Sequence, residues 1–108
     1  MKLTIVERLL VLNDLLHKKG DFAALKEVRQ AREALSFTGE ELEEQQIISV
    51  DGKVSWPSAS NDYEKDIPLT AWVTNQIQEN LRDKNTKGEL EEKDFTIYEK
   101  FIVAYDQV

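Results

Sequence analysis

The stretch IISVDGKVSW, residues 47–56, constrains the fold of this chain more than any other. Two β-branched runs meet at Asp51-Gly52, and Asp-Gly between such runs is a hairpin signal, because the tight turn needs positive φ at its centre. The register has two options. A two-residue turn scatters Ile48, Val54 and Trp56 over both faces, whereas a three-residue turn with Gly52 as the bulge residue gathers them on one. The bulge is the expected form, since it allows one apolar face to be buried.

Around this hairpin the apolar residues recur at helical spacing. Thr4 and Glu7 have the spacing of a capping box, so a first helix starts near Ile5. Its apolar positions (Ile5, Val6, Leu9, Leu10, Leu12, Leu15 and Leu16) cover well over half the circumference, which predicts the most buried helix. Lys18 and Lys19 suit its C-terminal dipole, and Gly20 is the expected left-handed stop. Asp21 caps a second helix through about Leu35, with Phe22, Leu25, Val28 and Leu35 facing inward, so the two make an αα-hairpin. Thr38 and Glu41 repeat the capping-box spacing and open a short acidic helix through about Gln45.

After Pro57 the run PSASNDYEKD shows no periodicity and reads as a surface loop. A fourth helix begins around Pro68–Thr70, with Leu69, Val73, Ile77 and Leu81 at i+4 spacing and Trp72 beside them. A fifth, after Gly88, carries Phe95, Tyr98, Phe101, Ile102 and Tyr105, an aromatic stripe of the kind that fills cores. The expected fold is therefore mainly α with one β-hairpin, an α+β chain of about five helices. With 108 residues it makes one domain, 1–108, built on one core.

The absence of cysteine excludes disulfides, thiolate zinc sites, iron–sulfur clusters and cysteine nucleophiles. Glu7 and Arg8 directly precede the aliphatic run Leu9 to Leu12, which argues against a membrane span or a signal peptide and predicts a cytoplasmic protein. Charge is uneven. Residues 1–36 hold seven Lys/Arg against five Asp/Glu, and residues 37–108 hold seven against sixteen, so the two parts carry +2 and −9. Such negative charge opposes nucleic-acid binding and favours a basic or polar protein partner.

Only one stretch imitates a chemical motif. DKNTKGELEEKD, residues 83–94, has the EF-hand glycine at position six and an aliphatic residue at eight. The calcium candidates are Asp83, Asn85, Glu91 and Asp94. Two ligand positions are wrong, however. Lys87 puts an ammonium where calcium needs an oxygen, and Asp94 is one methylene shorter than the usual bidentate glutamate. No metal or other cofactor is therefore expected, and the stretch reads as an interhelical turn stopped by Gly88.

Lys26, Arg29 and Arg32 follow a glycine-containing turn, as in a helix-turn-helix, but Lys26 stands where that motif buries an aliphatic residue. His17 is the sole histidine and has no nucleophile beside it in the sequence. No pair of carboxylates is singled out by spacing. The chain is thus expected not to be an enzyme. The remaining candidates are two acidic clusters, Glu40, Glu41, Glu43 and Glu44, and Glu89, Glu91, Glu92 and Asp94, read as a protein-binding surface for a basic partner.

LTIVERLLVLNDLL, GDFAALKEVRQAREALSFTGEE and FTIYEKF together resemble small phage- and prophage-encoded proteins of unassigned function. The resemblance rests on caps and core positions and covers about two-thirds of the chain. It implies a viral accessory or particle-associated role in a bacterial host, and no catalytic residue carries over. The function expected is that of a non-enzymatic, protein-binding accessory protein, for example an inhibitor of a host defence factor. Alternatives are a structural or assembly component of a phage particle and a degenerate EF-hand-like calcium module. The oligomeric state is left open.

Overall fold

Thr4 marks the point where the chain turns from strand to helix. A computed structural model describes residues 1–17 and 19–104. In it, strand β1 (Lys2–Thr4) leads directly into helix α1 (Ile5–Leu10), which widens into a π-helical turn over Val11–Leu15. The Thr4 hydroxyl accepts the Glu7 amide at 3.2 Å, and Glu7 Oε1 accepts the Thr4 amide at 2.9 Å, which completes the expected capping box. Helix α2 (Phe22–Leu35) starts as expected from Asp21, whose Oδ1 accepts the Ala24 amide at 2.8 Å. The second capping box opens α3 (Gly39–Glu44), with Thr38 and Glu41 exchanging bonds of 3.0 and 3.1 Å.

The centre of the fold is α4 (Ala71–Thr86), capped by Thr70. Its stripe of Val73, Ile77 and Leu81 packs against the π turn of α1, against α2 and against the last helical segment. That segment follows a 3₁₀ turn (Glu92–Asp94) as α5 (Phe95–Tyr98) and continues in π-helical form over Glu99–Val103. Leu3, Val11, Leu15, Leu35, Ile67, Ile97 and Phe101 complete one continuous core. Leu12 and Tyr98 pack only partly buried against it.

The hairpin is present, formed by β2 (Ile48–Val50) and β3 (Lys53–Ser55), but its turn is not the bulge expected. Val50 pairs with Lys53 and Ser49 with Val54, leaving only Asp51 and Gly52 in the turn, at φ of 52° and 76°. Both central residues are left-handed, which is the two-residue hairpin turn that Asp-Gly favours. Ile48 and Val50 therefore lie on the face opposite Val54. Every β2 residue is exposed, and only Val54 in β3 is half-buried. The hairpin projects from the body, so nothing requires a single buried apolar face.

Three further expectations are corrected. The stretch 57–66 is more than a surface loop: it holds a 3₁₀ turn (Ser58–Ser60) and β4 (Glu64–Asp66), which pairs antiparallel with β1, Leu3 opposite Lys65. Three-residue strands paired through their backbones leave no alternating pattern to read. Gly20 is not the left-handed stop, because α1 has already ended at Leu16, which is extended at φ −102° and ψ 137°. Gly88 is one, at φ 69°, and the Gly88 and Glu89 amides close α4 by bonding the Asn85 and Lys84 carbonyls at 3.1 and 2.8 Å.

The third correction concerns helix faces. Phe22 is 83% exposed and Leu25 is also exposed, because Val28, Ala31 and Leu35 set the buried stripe of α2 and the two larger residues fall beside it. Phe95, Val6 and Trp72 are likewise exposed, and Ile97 takes the core position near Phe101. The placements expected for Lys18 and Tyr105 lie outside the described residues.

Candidate functional site

The two acidic clusters divide once their side chains are placed. Glu41, grouped by sequence with a surface patch, is buried. It faces Arg8, which is fully buried although it is charged. Arg8 donates to Glu41 through Nη1 at 2.6 Å and Nη2 at 3.2 Å, to the Leu35 carbonyl through Nε at 3.0 Å and to the Ser36 carbonyl through Nη2 at 2.8 Å. Its guanidinium also lies 4.2 Å from the Phe37 ring centroid, a cation–π contact. One side chain from α1 thus holds the carbonyl end of α2 to the start of α3.

Glu41 is shared further. Tyr63 donates its hydroxyl to Oε2 at 2.8 Å, and Lys65 Nζ lies 3.4 Å from Oε1. Burial by itself raises the pKa of this carboxyl. Hydrogen bonds from Arg8, the Thr38 amide and Tyr63, with the Arg8 charge, outweigh burial and bring it from 4.5 to about 2. Burial and the hydrogen bond to Glu41 push the Tyr63 phenol above its ordinary value. Glu41 is therefore an internal ionic centre and cannot face a partner.

Asp94 is also withdrawn from the surface. It is buried, and its Oδ2 accepts Lys84 Nζ at 3.1 Å and the Glu91 amide at 3.0 Å. A third internal carboxylate, Glu7, receives Lys100 at 2.7 Å, and Lys100 also donates to Glu64 and to the Lys2 carbonyl. Burial lowers the Lys100 pKa, but the bonds and charges of Glu64 and Glu7 more than compensate, and the net shift is upward. Glu7 Oε2 and Asp94 Oδ1 are buried without a hydrogen-bond partner, so each carboxylate is held by one oxygen only.

The calcium candidates are not brought together. Asp83 and Asn85 are still inside α4, and Asp83 pairs with Lys87 at 3.0 Å, one turn along. Glu91 pairs with Lys93 at 3.2 Å, and Asp94 is taken by Lys84. Among the described residues no group of three or more His, Asp or Glu side chains gathers to hold a metal ion. Nor is any helix there long and apolar enough to cross a membrane.

What remains accessible of the first cluster is Glu40, Glu43 and Glu44, all exposed on α3 with Leu42 half-exposed among them. The chain passes from α3 into β2 with almost no linker. Gln46 takes a left-handed φ of 53°, and the Gln46 and Ile47 amides bond the Glu43 and Leu42 carbonyls at 3.3 and 2.9 Å. This closure ties the hairpin to the acidic helix as one arm. Ile48 and Val50 are 57% and 58% exposed on the hairpin face. Glu89, Glu91 and Glu92 of the second cluster are exposed in the α4–α5 connection.

A second surface runs along α2, where the sequence singles out only the basic strip Lys26, Arg29 and Arg32. His17, Phe22, Leu25, Lys26, Arg29 and Arg32 line an open, mainly apolar groove of about 470 Å³. The inward assignment of Phe22 and Leu25 hid it, since their helical spacing is equally that of an outward stripe. Among the described residues Lys26, Arg29 and Arg32 have no carboxylate within ion-pair distance, and Glu40, Glu43 and Glu44 have no cation. Compared with protein-family models, curated proteins and solved structures, the chain gives no match.

Proposed function

We propose that this chain is a non-enzymatic protein-binding accessory protein that engages a basic partner through an arm made of the exposed face of α3 and the β2–β3 hairpin. The observation that carries this reading is the exposure of Ile48 and Val50 on a strand pair that adds almost nothing to the core. Core packing does not explain two aliphatic residues there, and their exposure supports a contact role, since exposed apolar patches with a polar rim mark interaction sites. Glu40, Glu43 and Glu44 supply that charge and steer a basic partner toward the arm. A phage-derived protein acting in the cytoplasm of a bacterial host, as the sequence resemblance implies, belongs to the same proposal.

The test is capture from bacterial lysate by the immobilised chain and by a Glu40→Lys, Glu43→Lys, Glu44→Lys variant with Glu41 retained. The expected result is a captured protein that the variant loses while its urea midpoint stays that of the parent. Undiminished capture by this variant, together with loss on reversing Lys26, Arg29 and Arg32, would move the site to α2.

A further inference from the structure

The α2 groove and the arm have opposite electrostatics and similar apolar content. Phe22 and Leu25 leave an aromatic and an aliphatic surface open at one end of the groove, and Lys26, Arg29 and Arg32 surround it with three cations that no carboxylate of the same chain neutralises among the described residues. On the arm, Ile48 and Val50 are open, and Glu40, Glu43 and Glu44 are three anions equally without a partner. Each surface lacks what the other presents. The groove volume is about 470 Å³, within the range of about 300–1,000 Å³ of pockets that enclose a drug-sized ligand.

We propose that the occupant of the α2 groove is a second copy of this chain, which seats Ile48 and Val50 of its hairpin on Phe22 and Leu25 while its α3 acids meet Lys26, Arg29 and Arg32. This rests on the reading of the arm as an interaction element and names a partner for it. The contact joins two different surfaces, so it closes in one of two ways: two copies exchange arms reciprocally about a two-fold axis, or each docked copy leaves a free arm and a free groove and assembly continues to a ring or filament. Each copy carries a net charge of −7, which opposes encounter. Exposed charges further apart than about 8 Å are screened at physiological ionic strength, so the docked pairs act with little opposition from the rest of the surface. The outcome is concentration-dependent association.

Charge exchange tests this directly. One variant carries Glu40→Lys, Glu43→Lys and Glu44→Lys, and a second carries Lys26→Glu, Arg29→Glu and Arg32→Glu. Sedimentation velocity at fixed physiological salt should show the parent chain rising in average mass with concentration and each variant alone remaining a monomer. An equimolar mixture should regain association, because every arm then meets a groove of opposite sign. Ile48→Ser and Phe22→Ser, which leave charge unchanged, should each reduce association at least tenfold. A parent chain that stays monomeric to millimolar concentration overturns the proposal, as does association that survives both reversals, or folded variants whose mixture stays monomeric. A monomeric parent whose arm reversal still abolishes lysate capture overturns self-docking alone. A self-associating parent whose capture is indifferent to the arm overturns the basic-partner reading alone.

Discussion

Replacing Glu41 with glutamine should be among the most damaging single changes to this protein. Glutamine keeps the shape but exchanges one carboxylate oxygen for an amide nitrogen. Both oxygens of Glu41 receive donors: Oε1 takes the Thr38 amide and Arg8 Nη2, and Oε2 takes Arg8 Nη1 and Tyr63. Whichever way the amide is turned, its N–H groups face an Arg8 donor, and the fully buried guanidinium loses its counter-charge. Removing one member of a buried pair costs about 3–5 kcal/mol, and a domain of this size has a total of only about 5–15 kcal/mol. A loss of about 4 kcal/mol lowers the urea midpoint by roughly 2 M at an m-value near 2 kcal/mol/M. Acid adds a second, independent reading. The folded pKa is depressed from 4.5 to about 2, so the stabilisation is complete above the unfolded value and is lost as pH falls through the folded one. The shift corresponds to roughly 3 kcal/mol lost by the parent between about pH 5 and pH 2, and Glu41→Gln should lack that component. Arg8→Met combined with Glu41→Leu, which removes both charges, should unfold at higher urea than Glu41→Gln alone. A Glu41→Gln midpoint within error of the parent, with unchanged acid dependence, would refute the assignment of an internal ionic centre.

Leu15→Ala should cost about 3 kcal/mol or more, and Leu12→Ala clearly less, because Leu15 is buried and Leu12 only partly so; the order of their urea midpoints checks this. Gln46→Gly should stabilise by about 0.5–1 kcal/mol in thermal unfolding, since Gln46 holds a left-handed φ that glycine adopts without strain. Lys84→Met should destabilise by about 2 kcal/mol in urea, because it leaves the buried Asp94 carboxylate without its cation. Millimolar calcium should leave the amide spectrum around Gly88 unchanged, given that Asp83 and Asp94 are already paired with Lys87 and Lys84.

Features governed by local chemistry were legible in the sequence. Thr4 with Glu7, Thr38 with Glu41, Asp21 and Gly88 mark helix ends through bonds made within a few residues, and all four act as their spacing implies. Asp51-Gly52 marks the hairpin but not its register, because the bulge follows only where one apolar face is buried, and these strands are exposed. Pairing between β1 and β4 links residues some sixty positions apart through backbone groups, which side-chain identity does not encode. The acidic site was only partly readable. Glu40, Glu43 and Glu44 are exposed as a charged run suggests, yet Glu41 has the same local composition and is buried by a partner 33 positions away. One signal was available: Arg8 stands between Ile5 and Leu12 on the apolar arc of the first helix, and a cation there needs an internal carboxylate. Phe22 and Leu25 misled for the opposite reason, because helical spacing does not say which face is inward when alanines can line the core.

On the proposed function, the hairpin's aliphatic residues serve contact and not the fold. Ile48→Ser with Val50→Ser tests it most directly, with urea midpoint and association measured on the same preparation. The expected result is a midpoint equal to the parent's and loss of both self-association and partner capture. A midpoint lowered by the equivalent of a core substitution, about 2 kcal/mol or more, with association unchanged, would contradict it.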